Sequence, residues 1–336
     1  MDKTGTAKDI SIGPESLRAV FMGTPDFAVP SLFTLKRENY RIAAVVTQPD
    51  KPQGRHMIPA PSAVKTAALE YMLPVMQPDD IRNDLFIDEL HELKPDLIIT
   101  AAYGKILPLS ILRIPRYGCI NVHASLLPAY RGAAPVQWSI INGDTITGVT
   151  VMLMDKGMDT GDILAQKSVE IPIEMNAGRL MEILACTGAS ILSDTILDYC
   201  NGHIKPVHQD DRYATVVRPI TKEDGLIHWD SHVYSVYNRI RGCIPWPVAY
   251  SYYLGKRMKI HYARIIKEFS TISHLEHTDY LPGSIIKSED KKRLFVVCRD
   301  GVLEILELQM EGGKRISAHD CAHNFSSLVV LGEVYG

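Results

Sequence analysis

Two residues two positions apart, Asn121 and His123, have side chains suited to acyl chemistry, and both lie at the end of a short apolar run, residues 119–122. An amide NH2 can donate to an oxygen that gains negative charge, and an imidazole carries a proton near neutral pH. In extended backbone, residues two apart point the same way, so the pair can share one small site. The same spacing also occurs in ordinary hydrogen-bonded turns. Farther along, residues 154–164 read MDKGMDTGDIL and set Asp155, Asp159 and Asp162 among glycines. Such a loop can offer a carboxylate that holds an imidazole in its productive tautomer, or it can be a solvated acidic turn. A two-carboxylate cation site is the weaker reading, because hard cations want more oxygen ligands. Gly23-Thr24-Pro25-Asp26 stands where a dinucleotide fold keeps its glycine fingerprint, with Asp50 a suitable distance beyond. The further glycines are missing and Pro25 lacks an N–H, so no NAD site is expected.

The elements that would position these residues alternate. Residues 17–22, 41–47, 96–102 and 119–122 are continuous apolar runs that read as strands buried on both faces. Between them, residues 27–35, 62–72 and 79–93 have helical spacing, and Pro25 suits the first turn of the first helix. Residues 48–61, with four prolines, read as a loop. Further strands are expected at 148–153 and 162–171, and a long helix at 176–201. These form an α/β, Rossmann-like, mostly parallel sheet domain over residues 17–205, after a loose tail at 1–16. Residues 206–220 read as a linker. Residues 221–336 then give a helix near 231–241 and short strands at 249–253, 258–266, 283–286, 294–298 and 302–310. Strands this short and closely spaced predict a small, OB-like β-barrel.

With 336 residues, 46% of them hydrophobic and 22% charged, the chain is long enough for two cores and too apolar to be disordered. A net charge of −3 excludes a simple basic nucleic-acid coat. Residues 1–205 carry 19 Lys and Arg against 23 Asp and Glu, whereas residues 206–336 carry 17 against 16. A slightly basic second domain is weak support for a polyanion partner. No apolar run approaches the roughly 18 residues that a membrane span needs, and the N-terminus has no apolar signal core. Six scattered cysteines without a C-x-x-C pair point to reduced thiols rather than to zinc or disulfides. A cytoplasmic monomer is the expectation.

GTPDFA (residues 23–28), NVHASLLPAYRGAAP (121–135) and MDKGMDTGDIL (154–164), in this order, resemble the 10-formyltetrahydrofolate-dependent formyltransferases. KEDGLIHW (222–229), Ile244-Pro245-Trp246-Pro247 and Pro282-Gly283-Ser284-Ile285 resemble those members of the family that formylate the methionine carried by initiator tRNA. The resemblance implies a one-carbon group transferase of translation initiation, with 10-formyltetrahydrofolate as co-substrate, initiator methionyl-tRNA as partner, and no metal. It implies that Asn121, His123 and Asp159 are catalytic and that Ser125, Leu126, Leu127 and Pro128 contact the folate. It further implies that residues 103–107 wall the pterin pocket and that the 48–61 loop, through Arg55, meets the tRNA. Relatives often carry several basic residues in that loop; here only Lys51 and Arg55 remain, and His228 replaces a usual acidic residue. The alternatives within this reading are formylation of another amine, such as that of an amino-sugar nucleotide or a glycinamide ribonucleotide, and hydrolysis of the formyl donor. A barrel-type second domain argues against the glycinamide acceptor. Outside enzymes, a tRNA-binding module would not need Asn121, His123 and Asp159 together.

Overall fold

The computed structural model describes residues 11–53, 58–267, 279–327 and 329–332. The chain divides into two compact units: Met1–Gly132, Gly148–Val169 and Met181–Val216 form the first, and Ala133–Thr147, Glu170–Leu180 and Val217–Gly336 the second.

In chain order the elements are β1 Arg18–Gly23, α1 Val29–Arg37, β2 Arg41–Val46, β3 Lys51–Gln53, β4 Ile58–Ala60, α2 Ala63–Glu70, β5 Val75–Met76, α3 Asp84–Glu92, β6 Leu97–Ala101, α4 Leu109–Leu112, β7 Cys119–His123 and β8 Arg131–Gly132. They continue with α5 Pro135–Asn142, β9 Ile146–Leu153, β10 Ile163–Glu170, α6 Ala177–Cys200, β11 Val216–Val217, α7 Val233–Gly242, β12 Tyr250–Tyr253, β13 Lys256–Ile266, β14 Ile285–Lys287, β15 Leu294–Val297, β16 Val302–Met310, β17 Ile316–Ser317 and α8 Ala318–Cys321.

The first unit is built on a seven-stranded sheet in the order β10-β9-β7-β6-β1-β2-β5. From β5 to β7 the neighbours run parallel, with Phe21 opposite Ile99 and Thr100 opposite Asn121. The apolar runs form these strands because both faces are covered: Val20, Phe21, Met22, Ile98 and Ile99 are fully buried. β9 lies antiparallel to β7, so the sheet is parallel-dominated rather than uniformly parallel. The chain winds from β1 to β2 on one side and returns to β6 on the other. Such switches in strand order open a crevice beyond the carboxyl ends of the strands, where open α/β sheets hold ligands.

Three local details differ from the sequence reading. Helix α1 starts at Val29 with Pro30 in its first turn, while Pro25 is extended and precedes a single 3-10 turn at Asp26–Ala28. Two prolines five apart both fit a helix start, and the chain uses the later one; Gly23 packs tightly against Ala28, where an added Cβ would stand 2.7 Å from that of Ala28. Residues 51–60 contain a short antiparallel pair, β3 with β4, with Pro52 opposite Pro59. Neither proline can donate, and a non-hydrogen-bonded edge position asks for no N–H. Finally, the tail is anchored at its inner end, where Ile12 N–H donates to Asn201 Oδ1 (2.7 Å) and Asn201 Nδ2 to the Ile12 carbonyl (3.1 Å).

α6 corrects the reading that no segment reaches membrane-spanning length and hydropathy: its 24 residues include a window of mean hydropathy 1.5. Small polar residues between its leucines and isoleucines hide the stretch from a search for unbroken apolar runs. Leu184, Leu192 and Ile196 are buried in the protein. Gly188 sits against Val122 of β7, where an added Cβ would come within 2.6 Å of Val122 Cγ1.

The second unit carries a curled antiparallel half-barrel, ordered β12-β13-β16-β15-β14 with β17 beside β16. Register shifts around Tyr262 in the β13–β16 ladder mark irregularities of the kind that bend a strand and increase its twist. Met258, Ile260, Val296, Leu303 and Ile305 face a core shared with Trp229, Val236 and Ile240. Trp229 Nε1 donates to Ser251 Oγ within it (2.9 Å). α5 approaches α7 at Gly242, where a Cβ would meet Ile141 at 2.6 Å.

Candidate active site

Strand β7 brings Asn121 and His123 to one face at its carboxyl end, while Ile120 and Val122 are buried on the other. The amide of Asn121 is oriented from β6. Thr100, buried opposite it, donates its hydroxyl proton to Asn121 Oδ1 at 2.7 Å. A hydroxyl has one proton, so the longer approaches of Thr100 Oγ1 to the Ile120 carbonyl (3.4 Å) and Met154 Sδ (3.3 Å) are secondary. With its oxygen held, Asn121 presents an NH2 that makes no protein hydrogen bond among the described residues.

His123 is 6% exposed. Its Nε2 lies 3.0 Å from the Tyr130 carbonyl. A carbonyl only accepts, so this bond puts the proton on Nε2 and leaves the lone pair of the neutral ring on Nδ1. Nδ1 faces Asp159 Oδ2 at 3.6 Å. That is too long for a hydrogen bond but short enough for the carboxylate to stabilise a ring that gains a proton. The same Oδ2 accepts the Gly132 N–H at 2.9 Å. Asp159 has φ 56°, in the left-handed region.

The structure separates the aspartates of the acidic loop. Asp155 is engaged locally, accepting from Gly157 N–H (2.9 Å) and Thr160 Oγ1 (2.7 Å). Asp162 pairs with exposed His208 at 3.0 Å. Asp159 alone of the three faces the imidazole.

The segment after His123 is largely held by the scaffold. Ser125 is fully buried and donates to the Ala129 carbonyl (2.6 Å). Thr150 Oγ1 donates to the Ser125 carbonyl (2.7 Å) and accepts the Leu127 N–H (3.0 Å), and Gln166 Nε2 donates to the Leu127 carbonyl (2.8 Å). Leu126 and Pro128 are partly exposed, whereas Leu127 is buried. On the neighbouring turn Tyr103 is buried; among the described residues its hydroxyl has no partner, and burial pushes it up to about 12. The Tyr103 carbonyl accepts from Thr24 Oγ1 (3.1 Å) and Gln48 Nε2 (2.9 Å). Arg55 lies outside the described residues. Among the described residues, no group of three or more His, Cys, Asp or Glu is placed to hold a metal ion.

Sequence reasoning passed over Thr100 and Gln209. Thr100 left a signal, being a lone hydroxyl in an otherwise apolar strand beside β7. Gln209, whose Nε2 donates to the carbonyls of Asp159 (2.9 Å) and Gly161 (2.7 Å), left none. It sits in the segment read as a linker, of which residues up to Val216 group with the first unit.

Residues 17–196 match the family model described as Formyl transferase, and residues 219–326 match the model described as Formyl transferase, C-terminal domain. The chain belongs to the formyl transferase family. Its relatives in that family include the methionyl-tRNA formyltransferases of Caldanaerobacter subterraneus subsp. tengcongensis, 47% identical over 318 residues, and of Acetivibrio thermocellus, 44% identical over 319 residues. Each alignment covers 94% of this chain and all of the relative. Among solved structures, the N-formyltransferase from Helicobacter canadensis, in complex with folinic acid and dTDP-3-aminofucose, superposes with a TM-score of 0.65 at 18% identity, covering 89% of this chain and 100% of that one. HypX from Aquifex aeolicus in complex with tetrahydrofolic acid gives 0.61 at 16% identity, covering 90% and 46%. At these identities the likeness is one of fold.

Proposed function

We propose that this formyl transferase moves the formyl group of 10-formyltetrahydrofolate onto the free α-amine of initiator methionyl-tRNA. The observation that carries this is the cluster at the end of β7: an oriented amide donor, an imidazole with its free nitrogen toward Asp159, and that carboxylate. The relatives at 44% and 47% identity over 94% of the chain, both named methionyl-tRNA formyltransferase, support the choice of acceptor.

In the proposed reaction the amine attacks the formyl carbon. An N–C bond forms, negative charge develops on the formyl oxygen and positive charge on the amine. The Asn121 NH2 donates to that oxygen; one such donor contributes about 3 kcal/mol to a barrier of this kind. His123 Nδ1 takes the proton from the amine, and Asp159 stabilises the imidazolium. The proton passes to N10 as the C–N10 bond breaks. No covalent link to the protein is needed, since holding both substrates together supplies much of the rate. Ser125, Leu126, Leu127 and Pro128 are proposed to line the folate site and Arg55 to contact the RNA. Catalysis is assigned to residues 17–205 and tRNA binding to residues 221–336, joined by 206–220. The protein is proposed to work as a monomer in the cytoplasm, without a membrane partner.

Incubation with formyl-labelled 10-formyltetrahydrofolate and charged initiator tRNA tests this. Label on the methionine is expected. Release of free formate alone would replace the proposal with hydrolysis, and label on an amino-sugar nucleotide but not on RNA would change the acceptor.

A further inference from the structure

Gln209 is 2% exposed, and its amide uses its full bonding capacity. Nε2 donates to the carbonyls of Asp159 (2.9 Å) and Gly161 (2.7 Å), one on either side of Thr160. Oε1 accepts from Nε (3.0 Å) and Nη2 (2.8 Å) of Arg131. Carbonyls only accept and a guanidinium only donates, so this amide cannot be turned over without losing every bond. Arg131 is itself buried and reaches Asp211 Oδ1 through Nη2 (2.8 Å). The residue after it, Gly132, donates its N–H to the Asp159 carboxylate (2.9 Å). Asp159 is therefore gripped twice, at its carbonyl by Gln209 and at its carboxylate by the backbone beside Arg131. Its conformation is left-handed, φ 56°, a region uncommon for non-glycine residues and one that Asp and Asn enter more readily than others.

We propose that Gln209, held by Arg131, is a positioning residue for formyl transfer: it fixes the left-handed turn at Asp159 and so the carboxylate's place beside His123. The inference rests on the role proposed above for Asp159. A carboxylate that is to stabilise a transient imidazolium must stay in place while the charge appears and disappears, and preorganisation of this kind is what a flexible acidic loop lacks. An apolar side chain of similar volume would fill the space. It would not bind two carbonyls that flank one residue of the turn, and this pattern ties Gln209 to the turn's shape rather than to packing.

Gln209→Glu keeps the size and the attraction to Arg131 but sets an oxygen against two carbonyls. The expected result is a fall in kcat of about 10²-fold, the scale of a small misplacement of a reacting group, with KM for both substrates unchanged. In an Asp159→Asn background the same change is expected to cost no further kcat, because the carboxylate it positions is gone. Arg131→Lys, which replaces the two-pronged contact with one donor, should show the same pattern more weakly, and it takes the place of Gln209→Glu in the cycle if that variant does not fold. Equal losses of kcat in both backgrounds, or a rise in KM with kcat intact, would overturn the clamp. If Asp159→Asn is damaging and Gln209→Glu harmless, the clamp alone falls. If Asp159→Asn is itself silent, the role of Asp159 falls and the clamp falls with it.

Discussion

The two units differ in where their polar side chains stand. In the first, Thr100, His123, Ser125, Arg131 and Gln209 are buried, and each is bonded to a fixed partner in the scaffold. In the second, Arg257, Arg264 and Arg315, in or beside the curled sheet, are exposed. Arg257 stacks over Tyr250 with 4.6 Å to the ring centroid, Arg315 over Tyr262 at 5.2 Å, and Arg264 and Arg293 hold the buried carboxylate of Glu304. Buried networks of the first kind hold atoms in one place, and a missing partner is costly there. Exposed contacts such as those of Arg257 and Arg315 contribute little stability each, and they are proposed to offer cations to the RNA. On the proposed division of labour, substitutions in the first unit should act on kcat, and those at exposed arginines of the second should act on KM for RNA.

The sharpest break comes at β7. His123→Ala should lower kcat by about 10² to 10⁴-fold and Asn121→Ala by about 10² to 10³-fold, with folate affinity measured by calorimetry unchanged. Near-normal turnover in a folded variant would remove that residue from the mechanism. Next, Asp159→Asn should cost about 10²-fold in kcat and alter the pH–rate profile, while Asp155→Asn and Asp162→Asn stay near the parent rate. Damage from either of the latter, with Asp159→Asn silent, would reassign the carboxylate.

Smaller effects are expected at residues proposed to contact RNA. Arg257→Ala and Arg55→Ala should each raise KM for tRNA, leave kcat alone, and lower the salt slope of binding by about one phosphate contact. A change in kcat at Arg257 would break the division of labour between the units.

The last test concerns stability in acid. Two hydrogen bonds from Arg218 to Asp224, at 2.5 and 2.7 Å, hold that carboxyl down at about 2. Because the folded value lies below the ordinary one of 3.8, the pair's stabilisation is present above pH 4 and lost as pH falls toward about 2. Melting curves across that window should show Asp224→Asn losing less Tm than the parent. Identical slopes would dismiss the pair as a source of acid sensitivity.

Much of this frame was legible because it is written locally. Residues 96–102 and 119–122 are unbroken apolar stretches, and β6 and β7 lie within one residue of those limits. The polarity of β9 was not legible, since a buried strand reads the same in either direction. Nor was the grip on Asp159. Residues 205–220, KPVHQDDRYATVVRPI, have no period, yet Thr215 accepts the Arg131 N–H through its carbonyl (2.8 Å) and the Tyr130 N–H through Oγ1 (2.8 Å). Contacts about 80 residues apart leave no trace in spacing. Asp159 could be set apart from Asp155 and Asp162 by resemblance, and its physical reason came only with the loop's geometry.

The contact between Gly188 and Val122 has a practical side. β7 carries Asn121 and His123 on one face and rests on α6 through the other. The missing side chain at Gly188 sets how deeply the strand sits. A methyl group there, in Gly188→Ala, would act as a shim, lifting the strand and carrying both reactive side chains with it while leaving their chemistry untouched. For an engineer, that makes the back of the sheet an adjustment screw for a site at the front.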